Sequence, residues 1–376
     1  MGLFGSGNKK EKKGSGSPVP YKGKPVNEKK VLKMTDQNML LGAALDERNS
    51  SDVRMTAAKK LDDEHLAEFL IRKSGASATG YLSSEISDLG DELVTRIDGD
   101  QQALYRLAMC NDYLFNRAAV EKLTDQGLLA NIARTHPKSQ GRNAAVKRLD
   151  DQRILGEIAL NDEDQWVRKE ALSRTDSQEI IAKVALTDTQ LDVRGDAIER
   201  LTDPIVLKKV ALTDKYEYNA AKAAERIDDQ SILKEIVRTS QIPLARSNAA
   251  EKIEDQDLLK EIAENDKSRE VRSAAVRHIK DQAFLRRVIE NDDSDSVRQM
   301  AARFMLDVSY LRELAGNDDA SCDLREEAAK RMLNIGTEAD KADAEQLLEQ
   351  IQQKRDADDQ KDRDYYDSYV RGENLA

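Results

Sequence analysis

The chain has little of what fills a wide globular interior. Aromatic residues make up 4% of its 376 positions, with five Phe and one Trp, whereas charged residues make up 35%. Such a chain buries aliphatics more readily in a long stack of short helices than in one large core. No apolar run approaches the ~18 residues of a membrane span. No apolar stretch follows the N-terminal residues, so no secretory signal is read. The two cysteines, Cys110 and Cys322, lie far apart. That spacing argues against a disulfide framework and points to a reducing, cytoplasmic setting. The three histidines, His65, His136 and His278, fit no zinc spacing. CxxC, HExxH, GxSxG and phosphate-loop patterns are all missing. The expectation is a protein that is not an enzyme, with no metal and no cofactor.

Charge is unevenly placed. The net charge is -11, yet residues 1–33 carry nine Lys against Glu11 and Glu28, a balance of +7 that leaves -18 on the rest. Nucleic-acid backbones are held by Lys and Arg, so an acidic body speaks against them as partners.

What the chain does have is a repeat. Asp-Gln recurs at Asp36, Asp125, Asp151, Asp229, Asp255 and Asp281, and Asp62, Asp176, Asp203 and Asp307 fill the gaps. The period is 25 to 27 residues, interrupted once between Asp62 and Asp98. In residues 151–175, Asp151 suits a helix N-cap. Ile154, Leu155, Ile158 and Ala159 then follow a helical period, and Asn161 and Asp162 end it. Val167, Ala171 and Thr175 mark one stripe of a second helix. Pro204 falls at a helix start, and Pro137 and Pro243 fall between helices. One column is nearly invariant across repeats: Ala57, Ala119, Ala145, Ala171, Ala197, Ala223, Ala249, Ala275, Ala301 and Ala328, with Leu93 as its exception. Small residues there imply close helix approach, since overpacking costs about 1–3 kcal/mol. The fold expected is all-α, an α-solenoid of eleven helix–turn–helix units over residues 34–336.

Apolar-Arg opens the second helices at Arg54, Arg168, Arg194, Arg246, Arg272, Arg298 and Arg325, and Arg142 holds the same slot. A turn Asp precedes it at Asp46, Asp112, Asp162, Asp188, Asp214, Asp266, Asp292 and Asp318. A turn Asp followed by Val-Arg resembles the HEAT repeat, in a short form like that of some bacterial proteins. The resemblance covers roughly residues 36–335. It implies a right-handed superhelix, an Asp–Arg ladder between adjacent repeats, and second helices on the concave face. Gly90, Asn116 and Ala220 break the Arg column. An Arg row can bind an acidic peptide or serve as inter-repeat salt bridges and caps.

Residues 1–33 read as a disordered basic tail of Gly, Ser and Lys. MGLFGS fits an acylation pattern with Gly2 as acceptor, which would reach a membrane surface through that tail; a plain solvated tail is the other reading. Residues 74–80 read as a loop insertion, either a binding loop or a tolerated surface turn. Residues 337–376 read as a polar helix, with Leu347, Leu348 and Ile351 on one side, and a frayed acidic end.

The residue before the apolar-Arg pair is polar in most repeats but Leu114, Trp166, Tyr218 and Leu244 in the middle ones. Exposed aromatics on a rigid surface act as binding anchors, or such a ring folds over a helix end. The function expected is an interaction scaffold or adaptor binding a neutral to basic protein or peptide, with the oligomeric state open and a monomer favoured. A HEAT-like enzyme, of bilin-lyase or DNA-glycosylase type, and a membrane-tethered adaptor are the alternatives.

Overall fold

In the computed structural model, residues 24–75, 92–110 and 113–370 are described. Regular structure among them is helical. The chain forms two compact units, Met1–Thr175 and Asp176–Ala376. Each is an α-solenoid stack of helix pairs.

Repeat 5, in the first unit, shows why the pairs form. The Asp151 carboxylate accepts from the amides of Arg153 and Ile154 at 2.9 and 3.1 Å, so two otherwise orphan donors are satisfied. Gln152–Asn161 then buries Ile154, Leu155, Ile158 and Ala159. Burying a Leu or Ile side chain is worth roughly 1.5–3 kcal/mol. Asp162 ends the helix in extended geometry. Asp164 caps Gln165–Arg174 through the amides of Trp166 and Val167. In repeat 9 of the second unit, Asp255 caps Gln256–Asn265, and Arg269–Val276 follows after Asp266.

Packing within each unit is between neighbours. In the first, Ser139–Val146 packs on its own Gln126–Thr135 and on the second helices Tyr113–Lys122 and Gln165–Arg174. In the second, Leu191–Arg200, Glu217–Glu225, Pro243–Ala250, Arg269–Val276, Asp295–Phe304 and Cys322–Ile335 pack each on the next. The alanine column lies on this seam: all ten Ala, and Leu93, are fully buried. A methyl is what the helix spacing admits.

Several boundaries differ from expectation. Residues 24–33, expected in the disordered tail, include a short helix, Glu28–Leu32, with Val26 and Val31 buried. Lys60 Nζ fastens it by donating to the carbonyls of Val31, Leu32 and Met34 at 2.7–3.1 Å. Ser74 and Gly75, expected in a loop, end the helix Asp63–Gly75; the rest of 74–80 lies outside the described residues. Pro243 is the first residue of a second helix rather than part of the turn. At the other end, Glu338–Val370 is one helix of 33 residues, so the end expected to fray is helical as far as Val370. Its Ala344 and Ile351 are buried and Leu347 and Leu348 half-buried, and it packs on Cys322–Ile335. Gly99 takes φ +95°, left-handed backbone that suits Gly in the tight turn before the Asp100 cap.

Candidate interaction surface

Three hydrogen-bonded rows hold neighbouring repeats together, and they account for the most repetitive residues. In the first row an Arg reaches forward and back. Arg194 Nε and Nη2 donate to the two Asp214 carboxylate oxygens at 2.7 and 2.9 Å, while Nη1 donates to the Asp188 carbonyl at 3.0 Å. Arg142–Asp162, Arg246–Asp266 and Arg272–Asp292 repeat this fork 20 residues apart. Guanidinium fits the task because its planar donors match a carboxylate with two parallel bonds. Each Asp also accepts from the amide two residues on, as Asp214 does from Tyr216. Burial alone would push the Asp214 carboxyl up, but the Arg194 fork and the Tyr216 amide outweigh it and hold it below the usual range. Asp266 is held low in the same way by Arg246 and the Ser268 amide.

The second row is the Gln of Asp-Gln, taken from sequence only as a landmark. Gln256 donates to the His278 carbonyl at 3.0 Å and accepts from the Lys280 amide at 3.0 Å, clamping the link to the next repeat. Gln126 and Gln230 do the same, as does Gln178, which follows Ser177 instead of an Asp. Pro204 stands in this slot in repeat 7. The third row is cationic: Arg148, Arg174, Arg226 and Arg331 donate to Leu123, Leu149, Leu201 and Met305 carbonyls of the preceding repeat.

Arg168 donates back to the carbonyls of Asp162 and Glu163, as Arg194 does to that of Asp188, and Arg54 to that of Asn49. Not every expected residue makes a fork. Asp46 is forked by Arg48, two residues away. Arg298 pairs with Asp295 on its own helix, and Arg325 with Asp318 and the Ala315 carbonyl of its own repeat. The reason is local. The last turn is longer, with Asn317 ending one helix and Ser321 capping the next, so Asp318 is carried out of line. Asp112 lies outside the described residues.

Where the Arg column breaks, the structure shows a paired replacement. Asn116 stands in the Arg slot, and 20 residues on, in the Asp slot, stands His136. The Asn116 amide nitrogen lies 2.9 Å from His136 Nε2 and also donates to the Ala108 carbonyl. Gly141 makes room, since a Cβ there would fall 2.3 Å from the His136 ring. Ala220 is likewise followed by Ser240, whose hydroxyl donates to the Ala211 carbonyl at 3.2 Å. The signal was in the sequence: the Asp column fails at 136 and 240, one rung after the Arg column fails at 116 and 220.

The fork side chains are largely buried, so the Arg row offers no open cationic strip. The exposed apolar residues lie elsewhere. In the second unit they gather at the N-terminal ends of three consecutive second helices. Tyr218 is 60% exposed, Leu191 42% and Tyr216 37%. Tyr216 and Tyr218 rings stand 5.4 Å apart and tilted. Ile242 and Leu244, in the next repeat, are half-buried. The Asn219 amide donates to the Leu191 carbonyl at 3.0 Å, tying two of these ends together. Tyr216 and Leu191 were not singled out from sequence, though they flank the column that held Tyr218. Beside them a cleft of about 400 Å³ opens between the turns of repeats 6 and 7, with Leu186, Asp188, Arg194, Val210, Asp214 and Lys215 in its wall. In the first unit Trp166 is 63% exposed, with Lys169 Nζ 5.4 Å above its ring, so the ring does not fold away over a helix end. The side chain of Leu114 and the whole of Gly2 lie outside the described residues.

No family model matches the chain. No curated protein matches it either. Among solved structures, an engineered protein whose crystal structure is known is similar at 20% identity, over 76% of this chain and 98% of that one, with a TM-score of 0.10. Likeness at that level carries no argument about fold or function. Among the described residues no group of three or more His, Cys, Asp or Glu is placed to hold a metal ion, and no helix is long and apolar enough to cross a membrane.

Proposed function

We propose that this chain is a non-catalytic interaction scaffold of the HEAT-repeat type. Its docking surface is the apolar stripe Leu191, Tyr216, Tyr218, Ile242 and Leu244, and its partner is a neutral to basic protein or peptide. One observation carries the reading. At the N-terminal ends of the second helices of repeats 7 and 8 the chain places Tyr216 and Ile242 where repeats 9 and 10 have Ser268 and Ser294, and Tyr218 and Leu244 where they have Glu270 and Ser296, with exposed Leu191 at the corresponding end in repeat 6. Rigid, exposed aromatics supply contact area at low entropic cost, and they dominate interface energetics where they occur. The cleft beside Tyr216 gives a protruding partner side chain a place to enter. The acidic balance of the chain favours a partner without excess negative charge. Family membership rests on the turn Asp, the Val-Arg pair and the fork between them. The cytoplasm belongs to the same reading, because Cys110 and Cys322 lie far apart in the chain and suit a reducing compartment.

The test is quantitative affinity purification from the native cell. Three baits are compared: wild type, Tyr216→Ala with Tyr218→Ala, and Trp166→Ala. The double variant is expected to lose a partner that wild type enriches. If it recovers every wild-type partner at full yield, the stripe is not the docking surface. The Trp166→Ala bait reports separately whether the first unit has an anchor of its own.

A further inference from the structure

The last helix of the second unit has two unlike halves. Its first half is part of the stack. Ala344 and Ile351 are buried, Arg312 bonds Asp340 and Asp343, and Arg355 bonds Asp323 and Glu326 at 2.8 Å. From Asp356 onward every described side chain to Val370 is exposed. A stretch of about fifteen residues that buries nothing is marginal as a helix in water. This one is also burdened by its own charges. Six Asp, at 356, 358, 359, 362, 364 and 367, stand against Lys361 and Arg363. Asp358 and Asp362 are four apart and Asp359 and Asp362 three apart, spacings at which like charges repel on a helix. On the same stretch Tyr365, Tyr366, Tyr369 and Val370 are 62–66% exposed and fall within about 140° of the helix circumference. The stretch is thus acidic and aromatic along one side.

The chain carries a segment of complementary chemistry. Residues 1–24 hold six lysines, at 9, 10, 12, 13, 22 and 24, against the single acid Glu11. Lysines neutralise an aspartate row, and their ammonium groups sit favourably over tyrosine rings. The basic segment stands at the start of the sequence and the acidic helix near its end. A second molecule can present its basic segment to that helix.

We propose that the helix end 356–370 is a docking surface for the lysine-rich segment 1–24 of a second copy of this chain. Association is then driven by charge, with lysine stacking on Tyr366 and Tyr369. It weakens with salt, because exposed pairs are screened beyond a Debye length of about 10 Å at 0.1 M.

Sedimentation velocity on the full chain tests it, across a concentration series at low and at high salt. Wild type is expected to gain mass with concentration at low salt and to lose that gain at high salt. A tail variant carries Lys9→Glu, Lys10→Glu, Lys12→Glu and Lys13→Glu. A helix variant carries Asp356→Lys, Asp358→Lys, Asp359→Lys and Asp362→Lys. Each alone is expected to stay monomeric, and a molecule carrying both sets is expected to associate again. The tail variant changes no residue of the helix, so its result stands even if the helix variant frays. Wild type that remains monomeric at low salt overturns the proposal, because the contact would then be absent or made within one chain. Association that survives the tail variant, or that the combined variant fails to restore, overturns it as well. Loss of the aromatic stripe at 216 and 218 is expected to leave this association unchanged, so the two surfaces fail independently.

Discussion

Within the second unit, the joints from repeat 8 to repeat 10 and the joint between repeats 7 and 8 solve the same stacking problem differently. Arg246–Asp266 and Arg272–Asp292 are buried forks, and the second-helix ends beside Asp266 and Asp292 are polar. Between repeats 7 and 8 the fork is gone. Ala220 and a Ser240 hydroxyl replace it, Pro204 removes the Gln clamp, and Tyr216, Tyr218 and Leu244 stand at the helix ends. The alanine seam runs through both regions unchanged. Stacking therefore depends on the seam, and the polar rows can be relaxed locally. Where they are relaxed, the surface changes from polar to apolar.

The largest effect expected from breaking this contrast is at a fork. Asp292→Ala strips the carboxylate from Arg272, whose remaining acceptors are the Asp266 carbonyl and the exposed Asp293. Removing one partner of a buried pair costs about 3–5 kcal/mol. Ser240→Ala, at the equivalent rung without a fork, removes two neutral hydrogen bonds, one to the Ala211 carbonyl and one from the Ile242 amide, and should cost about 0.5–1.5 kcal/mol for each. Urea unfolding of the two variants measures the difference; equal losses would mean the fork is not the stronger joint.

Next is the seam. Ala275→Leu adds bulk at a fully buried site between helices and should cost about 1–3 kcal/mol. Ala223→Leu in the relaxed region should cost as much, because the seam is shared. A much milder loss at Ala223 would show that the helices stand further apart there. Gly141→Ala tests the other replaced joint, since its new methyl must displace the His136 ring; a drop in melting temperature is expected, and His136→Ser in the same chain should recover part of it.

A smaller effect depends on pH. The Asp214 and Asp266 carboxyls are held below 3.8, their ordinary value. A carboxyl depressed in the folded state contributes stability that is full above its unfolded pKa and is lost as pH falls through its folded pKa. Stability should thus be flat from neutral pH to about 5 and fall below about 4. Asp214→Asn should weaken the protein at neutral pH and flatten that acid limb. An unchanged limb would place the acid sensitivity in other carboxylates.

Much of this was legible from the residue pattern. The Asp caps, the aliphatic period and the alanine column each repeat some ten times, and each has a local cause, so register is readable from Ala57 to Ala328. What escaped depended on distance or on the partner slot. Gln256 looked like punctuation because both of its bonds go to backbone more than 20 residues away. His136 and Ser240 looked like mere gaps in the Asp column because their roles appear only beside Asn116 and Ala211. Arg298 looked like a rung because two extra turn residues before Ser321 are enough to carry Asp318 out of reach. Trp166 and Tyr218 were visible as oddities, but their exposure could not be read from spacing alone, and Tyr216 and Leu191 drew no attention because one residue type does not make a column.

The account separates what stacks the repeats from what recognises a partner, and hydrogen–deuterium exchange tests that separation most directly. The full chain is compared alone and with a partner recovered by the wild-type bait. The account predicts added protection at the N-terminal turns of Leu191–Arg200, Glu217–Glu225 and Pro243–Ala250, with repeats 9 and 10 unchanged. Protection confined to Arg269–Val276 and Asp295–Phe304, or none at the Tyr216–Tyr218 turn, would contradict it.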